Sequence, residues 1–132
     1  MDKKIKFSIP LSIILPRVTK KDKNVILNLN NYKTTHYQTL NEAKQKFTEI
    51  VEIPEFHAEV IHIDYDIYPK TEHIFDTNNV GSILDKFLCD AIVARGYIPD
   101  DNYKHIPEMP HGRPIKVDKK NPRAEVTITI IK

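Results

Sequence analysis

Carboxylates bracket the apolar segment that runs from Val80 to Ile92: Phe75-Asp76-Thr77-Asn78-Asn79 stands before it and Tyr97-Ile98-Pro99-Asp100-Asp101-Asn102 follows it. Hard oxygen donors gathered in this way suit a hard divalent cation. Magnesium keeps several waters and needs only one or two protein carboxylates beside a substrate phosphate. Asp76 could instead do no more than cap a helix, because a carboxylate at a helix entrance accepts hydrogen bonds from free backbone N–H groups. Loops at opposite ends of a helix of this length would lie roughly 25 Å apart, at about 1.5 Å per residue. The chain after Gly96 must therefore turn back along the helix. At about 3.3 Å per extended residue, the few residues to Asp101 cover only part of that distance. Helix tilt, a late helix start or assembly around a metal would supply the rest. On spacing alone, a shared Asp76–Asp101 site and two separate helix-boundary carboxylates both stay open.

The distribution of charge gives these carboxylates a setting. The 132-residue chain has a net charge of +2, but residues 1–48 carry +7, residues 49–101 carry −9 and residues 102–132 carry +4. Basic flanks suit a phosphate backbone, and clustered carboxylates repel that backbone unless a cation lies between them. Acidic and basic surfaces that offset each other for solubility would give the same blocks. Arg17, Lys20, Lys21 and Lys23 form a basic cluster, read either as a solvated loop or as phosphate contacts. Lys33 is interleaved with Tyr32, His36 and Tyr37 in the polar stretch Asn28 to Gln38. That stretch reads as a DNA-contacting loop, or as a loop whose rings pack on the edge of the core.

The elements that must position these residues follow from periodicity. Ile5, Phe7 and Ile9 alternate with Lys4, Lys6 and Ser8, which predicts a first strand over about Lys4 to Ile9, with Pro10 and Pro16 marking its exit into a loop. Thr39-Leu40-Asn41-Glu42 has capping-box spacing and predicts a helix from Leu40 to about Glu52. Ile61, Ile63, Tyr65 and Ile67 alternate with His62, Asp64 and Asp66, a strand with one face toward a core. Val80, Ile83, Leu84, Phe87, Leu88, Ala91 and Ile92 recur at spacings of three and four, which predicts a helix over roughly Asn79 to Arg95, with Gly96 placed to end it. A short strand is expected within Tyr103 to Pro110, a basic loop over His111 to Pro122 and a last strand over Ala124 to Ile131. The economical arrangement is α+β: a single domain with one mixed β-sheet and two main helices packed on it.

Other chemistries find little support. His62 and Asp64 with His73 lack the further close ligand that a tetrahedral zinc set needs. With only three glycines, no phosphate-cradling loop can be built. The single cysteine, Cys89, reads as a packing residue and fits a reducing compartment. No run of apolar residues is long enough to span a membrane, and the alternation at the N-terminus reads as a strand rather than an export signal, so a cytoplasmic location is expected.

Asp76-Thr77-Asn78-Asn79, then Lys86, Asp90-Ala91, Gly96 and Asp100-Asp101-Asn102, resemble the RusA family of Holliday junction resolvases, found in bacteria and their prophages. The family's motif is Asp-x-Asp-Asn, then a helix carrying a Lys and an Asp-Ala pair, then Gly and an Asp-Asp or similar dipeptide. The resemblance covers residues 60–105 and extends to the final strand. It implies a homodimeric, magnesium-dependent endonuclease, with manganese as a possible substitute, that nicks two strands of a four-way DNA junction. It also implies that Asp76 and Asp101 are acidic metal ligands, with Asn78 and Asp100 beside them, and that Lys86 takes part in catalysis. Asn78 stands where the motif has its second Asp. An amide oxygen still ligates a hard cation, but one negative charge is lost. A catalytically weakened or inactive protein that binds branched DNA is therefore the alternative. Asp64 and Asp66 could supply a missing ligand or simply face solvent, and Lys86 could be an ordinary surface lysine paired with Asp90.

Overall fold

An extended backbone sends alternate side chains to opposite sides, so Ile61, Ile63, Tyr65 and Ile67 fall on one face and His62, Asp64 and Asp66 on the other. The computed structural model describes residues 3–71 and 77–132, with the backbone alone for 77–79. In chain order its elements are β1 (Lys3–Ile9), β2 (Ser12–Leu15), β3 (Lys23–Ile26), α1 (Leu29–Thr34), α2 (Tyr37–Ile50), β4 (Ile61–Tyr68), α3 (Thr77–Ala94), β5 (His111–Pro114) and β6 (Arg123–Ile130). The main sheet has the order β1-β6-β4-β5. Its pairs are antiparallel except β4 with β5, which run parallel, so the sheet is mixed and the class is α+β as expected.

One face of the sheet is covered and the other is open. On the covered side the alternating residues of β4 are almost wholly buried, as are Ala124, Val126 and Ile128 of β6 and Ile5 and Ile9 of β1. Two long helices supply the cover. The stripe Ile83, Leu84, Phe87, Leu88, Ala91 and Ile92 of α3 is buried, and α2 contributes Ala43 and Phe47. The helices meet through the rings of Phe47 and Phe87, edge to face with centroids 5.7 Å apart, an arrangement that sets a positive ring edge against a negative ring face.

Several elements differ from the sequence expectation. The chain after Pro10 forms a strand rather than a loop, because Ile13 and Leu15 of β2 and Val25 of β3 are buried on one side of a separate two-stranded sheet. The stretch beginning at Asn28 is not all loop. The Asn28 side chain accepts from the Asn31 N–H at 2.8 Å and starts the short helix α1. Helix α2 begins at Tyr37, three residues before the expected start at Leu40, and is capped by His36, whose Nδ1 accepts from the Gln38 N–H at 3.2 Å. No strand forms over Tyr103 to Pro110; the short strand is His111–Pro114, inside the segment expected to be a basic loop. Pro107 and Pro110 lack the N–H that a ladder requires, and the backbone of His105 and Ile106 is turned back onto the Asn102 carbonyl instead.

Two sets of hydrogen bonds fix how α3 ends and where the chain goes next. Gly96 has φ 75°, its N–H donates to the Val93 carbonyl, and the Tyr97 N–H donates to the Ile92 carbonyl, which together form a Schellman motif. Arg95, one residue earlier, sends Nη2 to the carbonyls of Thr48 and Val51 at 2.6 and 2.7 Å. Thr48 lies in the last turn of α2 and Val51 is its C-cap, where carbonyls have no partner within the helix.

Both features can be tested by their effect on stability. A Cβ at Gly96 would meet nothing within 4 Å, so Gly96→Ala carries only the cost of the left-handed backbone, about 1–2 kcal/mol in urea unfolding. Arg95→Ala leaves two α2 carbonyls without their charged donor and is expected to lower stability by about 1.5–3 kcal/mol. An Arg95→Ala protein as stable as the parent would mean that water replaces the guanidinium without penalty.

Candidate functional site

The site is built where α3 lies against β4. Tyr65 is buried, and its hydroxyl donates to Asp85 Oδ1 at 2.7 Å. Cys89, one turn further along α3 and also buried, places its thiol 3.5 Å from the same oxygen. Burial raises the carboxyl of Asp85 above the usual aspartate range. The Asp101 carboxylate adds to that rise, while the two hydrogen bonds and the Lys86 charge act against it. Burial, then the charge of Asp85, push the Tyr65 hydroxyl and the Cys89 thiol upward, so both stay protonated and serve as donors. Among the described residues nothing bonds Oδ2 of Asp85.

The charge of Asp101 acts on Asp85 and Cys89 because the chain turns back after α3. Asp85 lies nine residues before the end of α3, about 13 Å at the helical rise. The five residues from Gly96 to Asp101 can span up to about 16 Å. The returning segment is held at both ends: the Tyr97 carbonyl accepts from the Ala58 N–H at 2.9 Å, and the His105 carbonyl accepts from the Ile61 N–H at 2.9 Å. Ile98 is buried between these anchors. Asp101 itself is exposed, and its charge also acts on Cys89.

The paired aspartates after α3 have different tasks. Asp100 accepts the Asp101 N–H at 2.8 Å with one oxygen and the Asn102 amide at 3.1 Å with the other. These bonds, the first of them foremost, hold its carboxyl below the usual range. Asn102 in turn accepts the Lys104 N–H at 2.9 Å. Asp100 therefore shapes the turn, and Asp101 is the member of the pair whose charge acts on Asp85 and Cys89 of α3.

Lys86 is exposed and follows Asp85 directly. Its Nζ lies 5.8 Å from the centre of the Tyr32 ring, and Lys44 Nζ lies 5.9 Å from the same ring. The expected alternative, a Lys86–Asp90 pair, is not what forms: Asp90 pairs with Lys44 at 3.3 Å. Helix α1 thus brings an aromatic ring to the catalytic-lysine candidate, an approach not foreseen from the sequence.

The other expected residues divide clearly. Asp76 and His73 lie outside the described residues, and Asn78 falls in the first turn of α3, seven residues before Asp85 and so on the same side of the helix. The carboxylate that the described residues bring toward Asp101 is Asp85. Asp64 and Asp66 point to the open face of the sheet, away from Tyr65 and α3, where Asp64 meets His62 at 3.2 Å and Asp66 meets Arg113 at 3.0 Å. They do not supply a ligand beside Asp101. Of the basic candidates, Lys20, Lys21, Lys23 and Lys33 are exposed, whereas Arg17 is held by Glu42 at 2.9 Å. Among the described residues, no group of three or more His, Cys, Asp or Glu is placed to hold a metal. Asp85 and Asp101 are two hard-oxygen donors, which suffice for a cation that also takes phosphate and water oxygens. Asp85 was missed in the sequence because it sits within an apolar run. The signal available was its spacing of four from Cys89 along α3.

The environment of Asp85 sets a pH dependence. Its carboxyl is raised above the ordinary value of 3.8 in the folded protein, so folding favours the protonated form. The stability this contributes is present below the unfolded value and is lost as pH rises through the raised one. Asp85→Asn keeps an acceptor for Tyr65 and removes the charge. It is therefore expected to melt above the parent at pH 7, with the two curves converging below about pH 4, the range of an unperturbed aspartate. Equal melting temperatures across that range would mean that Asp85 ionises freely.

No protein-family model matches the chain and no curated protein matches it, so its chemistry has to be read from its own residues.

Proposed function

We propose that the protein is a magnesium-dependent DNA endonuclease acting on branched DNA, with the four-way junction as substrate. The observation that carries this reading is the return of Asp101 along α3 toward the half-buried Asp85, beside Lys86, in a chain whose flanking segments are basic. The Asp101 charge adds to the cost of ionising Asp85, and a cation between the two would relieve it. Their oxygens are the donors that magnesium prefers.

Each residue has a part in this chemistry. Tyr65 and Cys89 hold Oδ1 of Asp85, leaving the other oxygen to face a cation shared with Asp101. Asp85 thereby restores the negative charge that Asn78 lacks relative to the family pattern. Bound magnesium would polarise the scissile phosphate and favour attack by water on phosphorus. Lys86, whose Nζ lies 5.8 Å from the centre of the Tyr32 ring, would stabilise the charge that develops on the phosphate oxygens. The basic loop with Lys20, Lys21 and Lys23 would bind the backbone of a DNA arm, and Lys33 would extend that surface. Two nicks in one junction need two such sites, hence a homodimer. Junction resolution of this kind belongs to DNA recombination and repair. No described helix is long and apolar enough to cross a membrane.

The reading is tested with labelled four-way junctions. Paired nicks are expected with magnesium or manganese and none with a chelator. Asp101→Asn and Asp85→Asn are each expected to lower cleavage beyond the roughly 10–100-fold that outer-shell partners of a metal site are worth, with junction binding retained. Neutralising Lys20, Lys21 and Lys23 should weaken binding and flatten its salt dependence by up to about 0.9 for each phosphate no longer neutralised. Tight junction binding without cleavage in any metal would favour the non-catalytic reading that Asn78 suggests. Neither binding nor cleavage would overturn both.

A further inference from the structure

We infer that His36 and Tyr37, at the start of α2, form a stacking platform for an unpaired nucleotide of the bound DNA. The inference rests on the nucleic-acid part of the proposed function and is independent of the cutting step.

Tyr37 is 65% exposed, although it opens a helix whose other large ring, Phe47, is wholly buried. Its ring is not loose. The rings of His36 and Tyr37 stack with centroids 4.7 Å apart and planes 29° from parallel. His36 is in turn fixed by its capping role, because Nδ1 accepts from the Gln38 N–H at 3.2 Å. That bond assigns the imidazole proton to Nε2 when the ring is neutral and orients the ring. One face of the tyrosine is thus covered by a histidine that the backbone holds in place. A rigid aromatic surface loses little conformational entropy when a partner stacks on it.

The charge around the pair selects the partner. Lys33, in the last turn of α1, is exposed and four residues away. Arg17 is pinned to Glu42 of α2 at 2.9 Å, which ties the basic segment containing Lys20, Lys21 and Lys23 to the first half of the same helix. Glu42 is five residues beyond Tyr37, about 7.5 Å along the helix axis and about 140° round it. An exposed aromatic face in a part of the chain that carries exposed lysines matches a strand that offers bases to stack and phosphates to pair. A duplex arm offers phosphates alone, because its bases are already stacked. The platform therefore distinguishes unpaired nucleotides, such as those at a branch point, from duplex arms.

The chain contains no tryptophan, so Tyr37→Trp places a single fluorescent reporter on the platform. Titration with a short single-stranded oligonucleotide is expected to quench it strongly, and the matching duplex or inorganic polyphosphate weakly at equal occupancy. In the otherwise unchanged chain, Tyr37→Ala should weaken single-strand binding about ten-fold without changing its salt dependence. Tyr37→Phe should bind as the parent does. Melting curves of both variants separate loss of stacking from loss of fold. Quenching by polyphosphate as strong as by the oligonucleotide would overturn the inference, as would Tyr37→Ala binding single strands as tightly as the parent. A protein that passes these measurements yet cuts no junction keeps the platform and loses the nuclease reading. One that cuts junctions but fails them does the reverse.

Discussion

The hydrogen bond from Tyr65 to Asp85 ties the chemistry of this protein to its core. A carboxylate on the side of a helix that packs against a sheet loses hydration, and without a donor it would either take up a proton or force the helix away. Here β4 supplies the donor from its buried face at 2.7 Å, and Cys89 supplies a weaker one from the next turn of α3. The helix can therefore lie close to the sheet while one carboxylate oxygen stays at the boundary. The residual cost remains visible in the raised pKa of Asp85. Sites that must hold a cation often carry such a cost, because the same unfavourable charge is what a cation relieves.

The second constraint is the turn after α3. Gly96 adopts a left-handed backbone that residues with a Cβ enter at a penalty, and this reverses the chain within two residues. The N–H groups of Ala58 and of Ile61, at the start of β4, then capture the returning segment at Tyr97 and His105. Asp100 spends both oxygens on the local turn, which leaves Asp101 to project. Chain reach matches Asp101 to the middle of α3, where its charge acts on Asp85.

Opposite charges are kept apart by the sheet. Asp64 and Asp66 face the open side, where His62 and Arg113 balance them. Asp85 and Asp101 lie on the helix side, where Lys86 is a cation among the described residues whose charge acts on Asp85. Strand alternation therefore divides the acidic middle of the chain into a balanced surface and an under-compensated pair. The basic N-terminal segment is tied to α2 through Arg17 and Glu42, next to exposed aromatic rings.

Much of this arrangement was legible in the residues themselves. The period-two pattern of residues 61–67 and the three-and-four spacing from Val80 to Ile92 determined β4 and α3, because a buried face on a regular backbone leaves no other periodicity. Gly96 marked the end of α3 for the same local reason. The identity of Asp101 as a candidate site residue was also readable, from the motif around it. Its proximity to Asp85 was not, and the partner expected for it, Asp76, lies outside the described residues. Asp85 sits inside an apolar run, and only the packing of α3 on β4 brings the Tyr65 hydroxyl to it and gives the chain after Gly96 a surface to return along. Likewise β2, α1 and β5 were missed because each is short and stabilised by neighbours remote in sequence, such as the parallel pairing of β5 with β4. Sequence by itself determined which segments are regular and which loops carry charge, since both depend on neighbours along the chain. Tertiary structure decided which carboxylates meet, since that depends on which buried donor lies across the interface.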